Sequence, residues 1–586
     1  MPYTNDQIAS KLREVSQLMQ LAGENRFKVI AFDKAAQTIE GLQEDINEYI
    51  QNKNLTDIKG VGKSIAEDIY TLEETGKMPV LESFKEKVPE GLIRWLNISG
   101  LGPKNAYKIH KELGISTIEE LKEKIEDGSV ASLSGLGEKS AQKIKKSIEW
   151  MEKFDERCRL DQAEVIANSI YKSLKDLEGV QQIELAGSYR RGLETIGDID
   201  ILIAAEEEHF ESLFEVFVNH ERVTDVLGRG DTKSSVRTKE GRQVDLRIVS
   251  PKEFPAALMY FTGSKEHNIV LRQRARDRGM SLNEYGLFKL NDAGDTDFDA
   301  PVDFDSETDI YQKLDMHFVP PELREDRGEF EIYEEQEEFD LVTDEDIRGV
   351  IHAHSTWSDG KYSIKEMAEA CMERGYNYLG ITDHSKTAAY AGGLSVDEIK
   401  QQWEEIDQLN EDLKDAGKDL VIFKGIESDI LADGSLDYED DILDGFDFVI
   451  ASVHQSLNMP RQEMMERMRN AIKNPYTRIL GHPTGRLLLK RNGSDLDLNE
   501  LVALAAEYNT AIEINANPRR LDLDWRFGNK AREVGMMTSI NPDAHTTDGI
   551  DDIPYGVRIA RKGKYSKDRV LNTKSADQVR AFFEAR

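Results

Sequence analysis

GSYRRGLETIGDIDIL, residues 187–202, is the stretch on which the reading of the chain turns. Asp198 and Asp200 stand two residues apart in a run with strand character, and alternate residues of a strand face the same side. Both carboxylates therefore project one way while Ile199 and Ile201 project into a core. A Gly-Ser turn precedes them, followed by Arg190 and Arg191. A further strand-like run, QVDLRIV at 243–249, supplies Asp245. Three carboxylates on neighbouring strands offer the hard oxygen ligands that two magnesium ions take, with positions left open for phosphate and water. Gly187 and Ser188 can turn backbone and hydroxyl donors toward a phosphate chain. An isolated Asp-x-Asp is common on solvated strand edges. Its position behind GSYRRG, between Gly197 and an apolar run, is what points to nucleotidyl transfer.

The pattern resembles the nucleotidyltransferase superfamily. Downstream, Tyr260-Phe261-Thr262-Gly263-Ser264, Asn268, Arg272 and Asn283-Glu284-Tyr285 follow in an order that resembles the family X DNA polymerases, the gap-filling repair enzymes, over residues 1–320. The resemblance implies that Asp198, Asp200 and Asp245 hold two catalytic Mg2+ or Mn2+ ions. It implies that Ser188, Arg191 and the Gly197 backbone hold the triphosphate of an incoming dNTP, with Arg157 as a helper. Tyr260, Phe261 and Gly263 would line the sugar pocket, Asn268 would reach the nascent base, and Arg272 and Glu284 would act near the templating end. Gln243 departs from the vertebrate repair polymerase, in which an arginine hydrogen-bonds the third aspartate.

At 586 residues the chain is long enough for about four domains, each with its own core. It has no apolar run of the ~20 residues that span a bilayer, and its start, MPYTNDQIAS, lacks an apolar signal segment. Two cysteines, Cys158 and Cys371, stand in no metal spacing; they suggest a reducing cytoplasm and are expected to have no structural role. The expectation is a cytoplasmic monomer without membrane contact. The net charge of −35 opposes binding to a phosphate backbone. Either basic grooves are preserved locally or the partner is not nucleic acid. The acidity is concentrated, with thirteen acidic and two basic residues between Glu322 and Asp346, and this favours the first reading. The acidic run itself reads as a linker.

Residues 1–85 have helical apolar spacing, as in Ile8, Leu12, Val15, Leu18 and Leu21. One device then occurs three times: Gly60-Val61-Gly62, Gly100-Leu101-Gly102 and Gly135-Leu136-Gly137, each leading into a helix with a lysine nearby. Such turns leave backbone N–H groups facing outward at a helix start, a ready phosphate site. They resemble helix-hairpin-helix motifs, which hold DNA backbones without reading sequence; the resemblance implies contact with gapped or nicked DNA and a monovalent cation at the turns. In family members that remove a sugar-phosphate remnant, a lysine of the first domain forms a Schiff base. That position here is Asp68, which cannot form an imine.

From residue 347 onward, strand-like runs alternate with helical ones such as IKEMAEACMERG at 364–375, which implies a parallel sheet or barrel. The strands end in ligand types. GVIHAH ends at His352 and His354, YLGITDH at Asp383 and His384, FVIASVH at His454, RILGH at His482, and TSINPDAH at Asp543 and His545, while VIFKGIESD carries Glu427. A seventh run, AIEINAN at 511–517, has no obvious ligand. Strand C-termini of a β/α barrel share one face, so these side chains converge. All six histidines of this half lie at such ends. Imidazole with carboxylate suits zinc, manganese or iron, and no cysteine demands zinc. The set resembles the PHP (polymerase and histidinol phosphatase) domain, a distorted seven-stranded barrel with up to three metals. The resemblance implies nine ligands for Mn2+ and/or Zn2+, namely His352, His354, Asp359, His384, Glu427, His454, His482, Asp543 and His545. Glu427 would bridge two metals, and the reaction class would be phosphoester hydrolysis.

The expected architecture is multidomain α+β and α/β. Residues 1–85 form a helical DNA-binding domain and 86–152 a second helix-hairpin-helix unit. Residues 153–250 form a nucleotidyltransferase palm, 251–320 a unit that binds the nascent base pair, 321–346 an acidic linker, and 347–586 a distorted (β/α)7 PHP barrel. The expected function is family X gap filling with a metal-dependent 3′–5′ exonuclease, extending to abasic sites or blocked 3′ ends. Two alternatives are another nucleotidyltransferase, which would need neither the three hairpin turns nor Tyr260-Phe261-Thr262-Gly263, and a DNA-end scaffold with a structural metal site, which would tolerate lost ligands.

Overall fold

A computed structural model describes residues 3–585 except 4, 41–45, 59, 86, 90, 96–97, 99–100, 156 and 336–339. The chain divides into two compact units, Met1–Asp155 and Glu156–Arg586.

The first unit is helical. Helix Asn5–Leu21 turns Ile8, Leu12, Val15 and Leu18 onto one buried stripe, the spacing that a 3.6-residue repeat requires. Helix Lys63–Thr75 begins behind Gly62, and helix Pro103–Leu113 begins behind Gly102 with its proline at the first helical position. Helix Glu138–Asp155 follows Gly137. The three turns are therefore helix entries, as the repeated pattern implies. Gly60 has a φ of +95°, which only glycine adopts without strain. Gly100 lies outside the described residues.

In the second unit, strand Asp198–Ala204 lies inside a five-stranded sheet between Gln182–Leu185 and Gln243–Val249; Lys233–Thr238 and Val223–Arg229 complete it. Ile199, Ile201 and Ile203 fill the core beneath. The two aspartate-bearing strands run parallel with Asp200 opposite Asp245. The residues before them are not a simple Gly-Ser turn: Gly187–Arg190 is a single helical turn, closed by Arg191 N–H to Gly187 O. Helices Phe254–Thr262 and Lys265–Asp277 and a three-stranded antiparallel sheet follow.

The C-terminal half contains seven parallel strands in chain order: Gly349–Ala353, Tyr378–Ile381, Val421–Asp429, Phe448–Ser452, Thr477–Leu480, Ala511–Asn515 and Thr538–Asn541. The barrel closes where Ala353 pairs with Ala544 and His354 N–H donates to Ala544 O at 2.8 Å. Strand residues are buried on both faces, as parallel strands under helices must be. Cys371 packs in the barrel's core and Cys158 in that of the aspartate-bearing sheet, so both cysteines are structural side chains, contrary to expectation.

The 321–346 run is also corrected. It contains a helix, Glu329–Glu335, and buries Leu323, Phe330, Tyr333, Leu341 and Val342. Arg324 and Glu329 are fully buried: Arg324 pairs with Glu307 at 2.6 Å, and Glu329 with His267 at 2.7 Å. Counting charge could not reveal this, because the partners of these two side chains lie 17 and 62 residues away. Glu322 meets Arg561 and Glu325 meets Lys562, both on the last long helix of the barrel half, Ile553–Lys562.

That helix and its neighbours form a seam with the aspartate-bearing sheet. Tyr555 donates to Glu164 at 2.5 Å. Buried Glu194 accepts from Trp525 Nε1 at 3.1 Å and Arg526 at 3.3 Å, with Arg486 at 3.5 Å. Glu194→Ala strips Trp525 Nε1 and two guanidinium groups of this acceptor. It is expected to cost about 2 kcal/mol, read as a lower midpoint in thermal denaturation; an unchanged midpoint would show that the seam is held elsewhere.

Candidate functional site

The register of the two central strands brings Asp198, Asp200 and Asp245 together, with one carboxylate oxygen of each within 4.8 Å of the others. Burial, then the charges of Asp198 and Asp245, push the Asp200 carboxyl up to about 7. A carboxylate so destabilised is short of positive charge, so the trio fits divalent cations. Burial also works against the charge on Asp245, but hydrogen bonds from Lys233, Gln243 and Ser235 outweigh it and hold this carboxyl low. Lys233 Nζ lies 2.6 Å from Asp245, and Gln243 Nε2 donates at 2.9 Å. Gln243 thus makes the hydrogen bond that an arginine makes in the vertebrate enzyme, and Lys233 brings the positive charge. Lys233 was not singled out from sequence, since a lysine on a strand reads as solvated.

Gly187 is required at this point. Its φ is +61°, and a Cβ there would lie 2.1 Å from Asp200 Oδ2. Ser188 sits on the same helical turn. Arg191 donates to Thr262 O at 2.5 Å and to Glu325 at 3.0 Å, and its charge acts on Asp200. Gly263 lets Arg191 approach: a Cβ there would lie 3.0 Å from Nη1. Arg157 donates to Thr195 Oγ1 at 2.8 Å, just before Gly197. Phe261 stacks under Arg247 and lines a cavity of about 90 Å3 with Asp200, Lys233 and Asp245. Tyr260, Asn268 and Arg272 share a neighbouring cleft, where Asn268 Nδ2 donates to Tyr260 O at 2.8 Å. Glu284 lies at the tip of the hairpin joining Met280–Asn283 to Gly286–Leu290.

In the first unit, a Cβ built at Gly62, Gly102, Gly135 or Gly137 meets nothing within 4 Å. No internal contact demands glycine there, so the bare backbone at these helix starts is open to an external ligand. The Asp68 carboxyl is raised by burial, and it accepts from Val80 N–H at 3.4 Å.

The second centre lies at the C-terminal ends of the barrel strands. Three overlapping groups hold ligand atoms within 4.8 Å of one another: His354, Asp359, His384 and His545; His352, His354 and Asp543; and His384, Glu427 and His454. His482 Nε2 joins the third through Glu427 at 3.0 Å. All nine residues expected from sequence therefore converge. Glu427 is the hub, with its oxygens 3.0–3.7 Å from His352, His354, His384, His454 and His482. Among the described residues, His352 Nε2, His354 Nδ1, His384 Nδ1, His482 Nδ1 and Glu427 Oε2 are buried and make no aligned hydrogen bond, although His384 Nδ1 and Glu427 Oε2 lie 3.0 Å apart. Buried nitrogen and oxygen donors left open in a cage of imidazoles and carboxylates fit divalent metal. Burial opposes the charges on Glu427 and Asp543, yet the surrounding histidines hold both carboxyls far below their usual range. Burial and the neighbours His545 and His384 drive His354 down to about 3.

The strand Ala511–Asn515, the sixth of the barrel and the one without an obvious ligand, carries the support for this cage. Glu513 lies 2.7 Å from His352 Nδ1, and it accepts from His482 N–H at 2.7 Å and Asn541 Nδ2 at 3.1 Å. A carboxylate can only accept, so Nδ1 of His352 carries the proton and Nε2 faces the centre as a ligand. Asp429 does the same for His454 at 2.5 Å. Asn515 donates to Asp543 at 3.1 Å. Asp383, at the end of the second strand, is held by Ser355, Ser358 and Gln402 and so belongs to the scaffold. An acid inside the apolar run AIEIN was the available signal for Glu513.

Family models match in the same order as the structural parts. A helix-hairpin-helix domain matches residues 3–78, a SAM-like helix-hairpin-helix tandem 93–149, the DNA polymerase beta palm 159–240, the DNA polymerase beta thumb 257–325 and the PHP domain 351–517. The DNA polymerase/3′-5′ exonuclease PolX of Bacillus subtilis (strain 168) is 40% identical over 575 residues, covering 98% of each chain. A probable phosphatase of Thermoanaerobacter sp. (strain X514) is 29% identical over 239 residues, 38% of this chain and 89% of its own. Rat DNA polymerase lambda is 25% identical over 299 residues, 48% of this chain and 49% of its own. The chain belongs to the family X DNA polymerases that carry a C-terminal PHP domain.

Supporting residues of a metal cage commonly carry a 10–100-fold share of its affinity, so Glu513→Gln is expected to weaken metal binding at the barrel about tenfold or more. A chelator competition measures this. Unchanged affinity would show that Glu513 does not orient His352.

Proposed function

We infer that this chain is a DNA-directed DNA polymerase that fills short gaps and, through its barrel, a 3′–5′ exonuclease. The observation that carries the reading is the presence of two complete ligand sets in a chain with a full-length PolX relative. The substrates proposed are gapped or nicked DNA and dNTPs, with the hairpin turns at Gly60, Gly62, Gly102, Gly135 and Gly137 gripping the DNA backbone, in part through a monovalent cation. Asp198, Asp200 and Asp245 would bind Mg2+ or Mn2+, and the nine barrel residues up to three Mn2+ or Zn2+. When bound, these cations would make the phosphorus more electrophilic and lower the pKa of the attacking hydroxyl or water.

In synthesis the primer 3′-hydroxyl attacks the α-phosphorus in line and pyrophosphate departs. Asp245 helps activate the hydroxyl. Ser188, the Gly197 backbone and Arg191 hold the triphosphate, Arg157 assists, Tyr260, Phe261 and Gly263 receive the sugar, and Asn268 and Arg272 meet the new base pair and template. In hydrolysis water attacks the terminal phosphodiester, and the 3′ nucleotide leaves as a monophosphate. The imidazole cage orients that ester, with Glu427 at its centre. Gap filling belongs to DNA repair; abasic or blocked 3′ ends are the further substrates proposed for the barrel. Among the described residues no helix is long and apolar enough to cross a membrane. A cytoplasmic monomer is proposed.

Two substitutions test the division of labour. Asp245→Ala is expected to cut extension on a gapped duplex by about two to three orders of magnitude, the scale of catalytic charge stabilisation (~10²–10³ per group), and to leave 3′ resection intact. His354→Ala is expected to do the reverse and to lower bound metal in elemental analysis. Loss of both activities in either folded variant would sink the assignment of separate sites.

A further inference from the structure

Lys562 closes the helix Ile553–Lys562 of the barrel half, yet its ammonium serves the polymerase half. Its side chain is fully buried. Nζ donates to Glu325 Oε1 at 2.5 Å, to Arg191 O at 3.1 Å and to Glu322 O at 3.1 Å, and sits 4.5 Å from the Trp525 ring centre. The same oxygen of Glu325 accepts from Arg191 Nε at 3.0 Å. One carboxylate oxygen thus joins a lysine from the barrel half to the arginine proposed to hold the triphosphate. Arg191 has its second anchor at Thr262 O and acts on the charge of Asp200.

We propose that Lys562 is a positioning residue for nucleotide binding: it neutralises Glu325 and so leaves the Arg191 guanidinium available to the triphosphate. The inference rests on the assignment of Arg191 to that role. Glu325 is half of a two-sided contest. With Lys562 present, Arg191 and Lys562 together place two positive charges on one carboxylate, and the site keeps a net positive charge for an anionic ligand. Without Lys562, Glu325 and Arg191 cancel. The site then has no net positive charge left to attract the triphosphate. The barrel half is in this way part of the polymerase site through a residue that acts on Arg191.

The experiment is steady-state single-nucleotide insertion on a gapped duplex with the full chain, comparing Lys562→Met, Glu325→Gln and the double variant. Lys562→Met is expected to raise the KM for dNTP on the order of tenfold, the factor that corresponds to ~1.4 kcal/mol, with kcat changed less than twofold. The double variant, which removes both charges, is expected to return KM to within about threefold of the native value on the same scale. Lys562→Arg should keep a native KM. Single-strand 3′ digestion reports on folding of the barrel in each variant. A Lys562→Met protein that digests normally and inserts with native KM overturns the proposal. So does a double variant no better than Lys562→Met, because lost packing rather than charge would then be the cause. If Arg191→Ala leaves KM for dNTP unchanged, the underlying assignment of Arg191 fails instead, whatever Lys562→Met does.

Discussion

The structure is organised by carboxylates that folding takes out of water. A buried anion is costly unless positive charge or several donors meet it, and the cost is several kcal/mol in ordinary proteins. This chain buries many. Glu194, Glu307, Glu329 and Glu325 are met by arginine, histidine and lysine from distant segments, and these pairs knit the second unit together. Asp200 and Asp245 sit beside the exposed Asp198, the three have only Lys233 in direct ionic contact among the described residues, and one lysine cannot answer three charges. At the barrel mouth, imidazoles surround Glu427 and Asp543, but several of their nitrogens have no hydrogen-bond partner. What is balanced by protein is scaffold, and what is left unbalanced marks a cation site.

Much of this was legible in the sequence because the chemistry is periodic. Asp198 and Asp200 are separated by one strand repeat, so their common direction follows from spacing alone. Six histidines at strand ends converge for a topological reason, the shared polarity of parallel strands. The glycine turns announce helix entries for the same kind of reason, local geometry.

What was not legible depends on partners that sequence separates. Arg324 and Glu329 are core residues because Glu307 and His267 meet them, and no local pattern marks that pairing. An acidic count therefore suggested a linker where the chain is folded. The run 511–517 shows no obvious ligand, yet its Glu513 faces His352, 161 residues away. Lys233 reads as a solvated lysine until the register of its strand sets it beside Asp245.

The central claim is that the unbalanced carboxylates around Asp200 and the unpartnered imidazole nitrogens around Glu427 mark two separate cation centres in one chain. Anomalous diffraction at the manganese edge, from crystals of the full chain with gapped DNA, a non-hydrolysable dNTP and Mn2+, tests it most directly. The account predicts peaks among Asp198, Asp200 and Asp245, and a distinct group bounded by His352, His384, Glu427, His482 and Asp543. Strong peaks at one centre with none at the other, although its residues are ordered as described, would contradict it.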